Sequence, residues 1–146
     1  MDKRQEKWDR RFLGLCEYVS RWSKDPSTKV GAIITDGIKI ISMGFNGLPQ
    51  QVKDFPEILE VRNIKYKHII HAEANAILTA QSDLKGFTIY TFPLLPCTSC
   101  GSMIAQSGIS RVVSVKCKNE RWKKRLEESK HFMRLCNIEV VEYEAL

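Results

Sequence analysis

The chain has 146 residues, 43% hydrophobic and 27% charged, with a formal net charge of +6. That length suits one domain around one core, here 1–146, and the balance excludes a disordered or fibrous chain. No apolar run approaches the roughly 20 residues of a membrane span, and residues 1–7 are charged, without an apolar signal segment, so a cytoplasmic protein is expected.

Residues 3–22 carry Trp8, Phe12, Leu15, Cys16 and Val19 at helical spacing. The helix should stop at Ser23-Lys24-Asp25-Pro26, because Pro26 disfavours helical backbone at Asp25. Val30 to Thr35 reads as a buried strand, Asp36-Gly37 as a hairpin turn, and Ile38 to Met43 as the antiparallel return. Gly44 to Pro49 is an irregular loop. Residues 50–70 form a connection with a short helix around Pro56 to Asn63. His71 to Gln81 is helical, with Ala72, Ala74, Ala76 and Ala80 permitting close packing. Phe87 to Phe92 is a third strand, and Cys97 to Ser107 a helix that Gly108 ends. Arg111 to Val115 is a fourth strand, Glu120 to Cys136 a long amphipathic helix, and Ile138 to Tyr143 a fifth strand. From Phe87 onward the order is βαβαβ, which predicts three parallel strands. With the hairpin, this gives an α/β fold with a five-stranded mixed sheet and helices on both faces. Sites in such sheets form at the carboxyl ends of strands, where Cys97 falls.

The five cysteines are odd in number and irregular in spacing, which argues for reduced thiols rather than a disulfide framework. Cys97 and Cys100 alone have a metal-type spacing. Cys16, Cys117 and Cys136 are expected to be buried small hydrophobes. The positive charge sits in the first helix and in Lys116 to Arg125. It suits an anionic partner, but a solvated basic surface is the simpler explanation.

The chemistry is carried by His71-Ala72-Glu73 and Pro96-Cys97-Thr98-Ser99-Cys100. Cys97 and Cys100 share a face of the first turn of a helix, where free amides and the helix dipole favour thiolate. With His71 they make a three-ligand set for one Zn²⁺ per chain, and the open fourth position is that of a catalytic site. Zinc brings the pKa of bound water toward about 7, so a zinc-bound hydroxide is available as nucleophile. Glu73 is a poor fourth ligand and a good neighbour, suited to taking a proton from the bound water and passing it to a reacting group. The order H-x-E…P-C-x-x-C is similar to the signature of zinc-dependent nucleobase deaminases. A structural zinc would need a fourth ligand from Cys117, Cys136, His68 or His131.

Further blocks narrow the resemblance. Ser23 to Ala32 (SKDPSTKVGA), Gly44 to Pro49 (GFNGLP), Lys65 to Ile77 (KYKHIIHAEANAI) and Leu95 to Cys100 (LPCTSC) together resemble the deoxycytidylate (dCMP) deaminase family of the cytidine deaminase superfamily over nearly the full length. The resemblance implies the cytidine-deaminase-like three-layer α/β/α fold and hydrolysis of dCMP to dUMP and ammonia, which supplies dUMP for thymidylate synthesis. It implies that Asn46 bonds the sugar hydroxyl, that Ser23 and Lys24 lie near the 5′-phosphate, that Lys65 and Tyr66 flank the pocket, and that Ala72 lines it. It also implies a homo-oligomer, dimer or hexamer, and regulation by dCTP with Mg²⁺ and by dTTP. Two departures bear on this. The 50–70 connection is short, with no Cys and only His68, where some members carry a second zinc or an insertion. Phe92-Pro93-Leu94-Leu95 is unusual before the P-C-x-x-C motif.

Other functions stay open at this point. One is a deaminase of the same fold acting on cytidine, deoxycytidine or a polynucleotide base. Leu95 stands where tRNA-type members carry Glu, and no aromatic-rich basic loop offers stacking, so a free nucleotide is expected as partner rather than nucleic acid. The other is a non-catalytic zinc- or nucleotide-binding protein, against which the intact Glu73 argues.

Overall fold

A computed structural model describes residues 2–53 and 55–146. The first helix, α1 (Lys3–Ser20), is capped by the Asp2 carboxylate, which accepts the Arg4 amide at 2.9 Å. It ends two residues before the expected Trp22. The amides of Trp22 and Ser23 turn back to carbonyls three residues earlier, Val19 and Ser20, the tightened last turn common at helix ends.

The strand β1 (Gly31–Asp36) pairs antiparallel with β2 (Lys39–Phe45). The loop between them is Gly37-Ile38, one residue later than the Asp36-Gly37 turn read from sequence, because Asp36 still pairs with Lys39. Gly37 takes φ +59°, which suits glycine at the first position of a tight hairpin loop.

The 50–70 connection holds two short helices, α2 (Pro56–Leu59) and α3 (Arg62–His68), in place of one. Val61 lies between them with extended backbone (φ −90°, ψ 106°), which breaks the helix. The next helix is α4 (Ala72–Ala80), followed by β3 (Thr88–Phe92), α5 (Thr98–Ser107), β4 (Arg111–Val115), α6 (Glu120–Leu135) and β5 (Glu139–Tyr143).

The sheet order is β2-β1-β3-β4-β5, with β3, β4 and β5 mutually parallel. The expected βαβαβ unit is therefore present. Alternation along the strands divides the core in two. Ala32, Ile34, Ile89, Val112 and Val140 face one side and pack with Ala72 and Ala76 of α4, Ile104 of α5 and Met133 of α6. Ile33, Tyr90, Val113 and Tyr143 face the other side and pack with Phe12, Leu13 and Cys16 of α1. Cys16 is wholly buried as expected; Cys117 and Cys136 are only half-buried at the margin of the first core.

Two polar features fix the layers. Asp9 of α1 is fully buried, yet it accepts two bonds from Arg111 (2.8 and 2.7 Å), one each from the Tyr90 and Tyr143 hydroxyls (2.8 and 2.7 Å) and one from Gln5 (3.0 Å). Burial pushes the Asp9 carboxyl up, but these donors outweigh it and hold the group below its ordinary range. On the opposite face, a Cβ at Gly44 of β2 would lie 2.5 Å from the Ala72 carbonyl and 2.6 Å from the Ala76 amide. Glycine at this position lets α4 lie directly on β2. Among the described residues, no helix is long and apolar enough to cross a membrane.

Candidate active site

His71 and Cys97 both occupy the residue immediately before a helix. His71 is the N-cap of α4 and Cys97 the N-cap of α5, each with extended backbone. The Cys97 sulfur accepts the Cys100 amide at 3.5 Å, so the thiolate does the work that a Ser or Asp cap does elsewhere. The His71 Nδ1 lies 3.5 Å from Cys97 Sγ and 3.3 Å from Cys100 Sγ. Ligands at ordinary Zn–S and Zn–N lengths in a tetrahedron would stand about 3.6 Å apart, so these three side chains fit a zinc ion.

The group is closed on the Cys100 side, which is buried, and open on the His71 side, which is exposed. Among the described residues, no fourth His, Cys, Asp or Glu joins it. His68, the nearest candidate in sequence, turns its Nδ1 to the Ile64 carbonyl at 2.8 Å. Burial and an open corner together describe a site that can hold both a metal and a reactant.

The electrostatics favour a thiolate at Cys97. A hydrogen bond from the Cys100 thiol, with help from His71 and the Cys100 amide, pulls Cys97 down to about 4 despite burial. Cys100 keeps the proton that the pair shares and is held well above its usual range by that bond and by burial. The partnership with Cys97 raises His71 against the partial desolvation of its ring. Glu73, in the first turn of α4, is 4% exposed. Burial raises its carboxyl, while its own amide and nearby His71 act the other way. A buried carboxyl beside three metal-type ligands is suited to exchanging a proton rather than carrying a fixed charge.

The residues expected around the substrate fall in two groups. Ala72 is fully buried directly after His71. Ser23, Asn46 and Lys65 are buried and bonded into one network: Ser23 Oγ donates to the Asn46 carbonyl at 2.8 Å, and Lys65 Nζ contacts Asp25 Oδ1 at 3.0 Å. Lys24 is exposed on the same loop. Tyr66 is 54% exposed, and its hydroxyl accepts from Arg62 at 2.9 Å.

Sequence reading missed the groups that hold the P-C-x-x-C turn. The Ser129 hydroxyl of α6 donates to the Pro96 carbonyl (2.6 Å), that of Thr91 to the Leu94 carbonyl (2.8 Å), and that of Ser114 to the Thr91 carbonyl (2.8 Å). Ser114 and Thr91 sit at buried strand positions, where a hydroxyl needs a partner. That was the one available signal.

The fold, the three convergent ligands and the buried carboxylate define a zinc-dependent deaminase site. Residues 6–116 match the cytidine and deoxycytidylate deaminase zinc-binding region, and the chain belongs to that family. It is 42% identical over 137 residues to an uncharacterized deaminase from the luxG 3′ region of Aliivibrio fischeri, covering 92% of each chain. It is 36% identical over 115 residues to the deoxycytidylate deaminase of Mus musculus, covering 73% of this chain and 63% of that one. The chain therefore spans less than two thirds of the mouse enzyme's length. In structure it is similar to the dCMP deaminase from cyanophage S-TIM5, with TM-score 0.74 for the apo form and 0.76 for the complex with dCMP and dUMP, at 21% identity, covering 97% of this chain and 99% and 98% of those chains. That likeness shows the fold.

Proposed function

We propose that residues 1–146 form one zinc-dependent domain that hydrolyses dCMP to dUMP and ammonia. The observation that carries this is the convergence of His71, Cys97 and Cys100 on one point with Glu73 buried beside them. The identity to curated deoxycytidylate deaminases supports the choice of nucleotide. His71, Cys97 and Cys100 hold the zinc, which when bound supplies a Lewis acid that makes water a competent nucleophile at neutral pH. Glu73 takes a proton from the attacking water and delivers it to N3 of the pyrimidine, which makes C4 electrophilic. The water oxygen bonds C4; the same carboxylate then takes the remaining proton of the new C4 hydroxyl and gives it to the amino group, so that the C4–N bond breaks, ammonia leaves and the C4 carbonyl forms. Ala72 borders the pyrimidine, Asn46 bonds the sugar, and Lys24 lies toward the phosphate.

The domain acts as a cytoplasmic homo-oligomer, and dCTP with Mg²⁺ and dTTP are its expected effectors. A panel of dCMP, its methyl and hydroxymethyl forms, dCTP, cytidine, dAMP, an oligodeoxynucleotide and a stem-loop RNA tests the reading. Ammonia release is followed with and without dCTP and dTTP. Turnover of a polymer without turnover of dCMP overturns it. Light scattering reports the assembly.

A further inference from the structure

Ser23, Asp25, Asn46 and Lys65 are between 2% and 7% exposed. Lysine is almost never this buried unless paired. The Lys65 ammonium meets Asp25 Oδ1 at 3.0 Å and Ser27 Oγ at 3.1 Å. Asp25 Oδ1 also accepts the amides of Ser27 (2.8 Å) and Thr28 (3.4 Å). Its Oδ2 accepts from Asn46 Nδ2 at 3.4 Å.

The Asn46 side chain is thereby fully oriented. Its Nδ2 donates also to the Thr28 carbonyl at 2.8 Å, and its Oδ1 accepts the Val30 amide at 2.9 Å. Both amide hydrogens are committed and one Oδ1 lone pair is left. In that state Asn46 can accept from a ligand hydroxyl and has nothing to donate. The next residue, Gly47, bridges Ile70 in both directions, at 3.1 and 2.8 Å, and Ile70 precedes His71. The Lys65 carbonyl itself accepts the Ile69 amide that closes α3. The Lys65–Asp25 pair thus ties α3 to the 23–28 loop, and α3 leads through Ile70 into the metal ligand His71.

We propose that Lys65 is a positioning residue. Through Asp25 it fixes Asn46 as a hydrogen-bond acceptor for a sugar hydroxyl, and it touches no part of the nucleotide. This rests on the nucleotide-deaminase reading above.

Lys65→Met alone would strand a buried carboxylate, so the test uses the neutral double variant Asp25→Asn/Lys65→Met beside Lys65→Arg and the unaltered protein. The double variant should keep its zinc content and a kcat within about threefold. Its KM should rise about tenfold or more, by the same factor for dCMP and for deoxycytidine. The Val30 and Asn46 amides should exchange hydrogen at least about tenfold faster. Lys65→Arg should restore most of both readouts. A KM increase confined to dCMP means that Lys65 reads the phosphate directly and overturns the proposal. An unchanged KM with a lowered Tm overturns it as well. If the unaltered protein turns over neither compound, the deaminase reading fails, and the positioning role is decided by exchange: unchanged rates at Val30 and Asn46 sink it.

Discussion

The hydroxyl of Ser129 donates to the carbonyl oxygen of Pro96 at 2.6 Å, which ties the middle of α6 to the residue before the first cysteine ligand. Both groups are buried. Ser129→Ala removes the donor and leaves a desolvated carbonyl, which costs about 1–3 kcal/mol. Urea melts should show that loss, and a zinc-chelator competition should show weaker zinc retention.

Glu73→Gln keeps the size of the side chain and removes its capacity to carry a proton. Zinc content, measured by atomic emission, should be unchanged, while kcat for ammonia release falls by roughly 10² to 10⁴. Residual turnover near that of the unaltered protein would take Glu73 out of its role.

Gly44→Ala should separate α4 from β2. The obstructing atoms are backbone, the Ala72 carbonyl at 2.5 Å and the Ala76 amide at 2.6 Å, so no side chain can swing away. Overpacking of this kind costs about 1–3 kcal/mol. Because α4 follows His71 and carries Glu73, circular dichroism melts and zinc retention should fall together.

Asp9 gives the fold an acid limit. Its folded-state pKa lies below the unfolded value, so its contribution is present in full above about pH 4 and is lost as pH falls through the lower folded value. Asp9→Asn removes the buried partner of Arg111, leaving it only the exposed Glu139 at 3.4 Å, and should cost about 3–5 kcal/mol at pH 7. In urea melts across pH 2 to 7, the gap between the two proteins should narrow on the acid side. A gap independent of pH would show that the carboxylate charge is not what stabilises α1.

Removal of zinc by a chelator should expose one unusually reactive thiol. Cys97 lies at about 4 and is half-buried, whereas Cys16 is fully buried, with burial pushing its thiol well up. At pH 7 the metal-free protein should alkylate at Cys97 first and Cys16 last, as peptide mapping would report. Equal labelling of all five cysteines would contradict it.

Much of this was legible in the sequence because it rests on local pattern. The β-branched and aromatic run FTIYTF, the period near 3.6 in residues 120–136 and the helix-ending Gly108 each act within a few residues. The His71, Cys97 and Cys100 set was legible because metal ligation requires particular atoms at particular spacings. The hairpin turn and the split of the 50–70 connection were misjudged by one to a few residues, since Ile38 and Val61 act there through backbone geometry rather than hydrophobicity. Ser129, Asp25 and Asp9 were invisible as partners. Ser129 meets Pro96 from 33 positions away and Tyr143 meets Asp9 from 134 away, and no periodicity encodes a hydrogen bond across such separations.

The three ligand atoms join a side chain from the crossover after the hairpin to two from the parallel half of the sheet, 26 and 29 positions further on. An ion gripped there behaves as a removable cross-link. Closing a segment of that length in the unfolded chain has an entropic cost that rises only with the logarithm of its size, so a tether at this point gains nearly as much as one spanning far more of the polypeptide. Supply of the ion during synthesis would then influence how completely the two halves mature together.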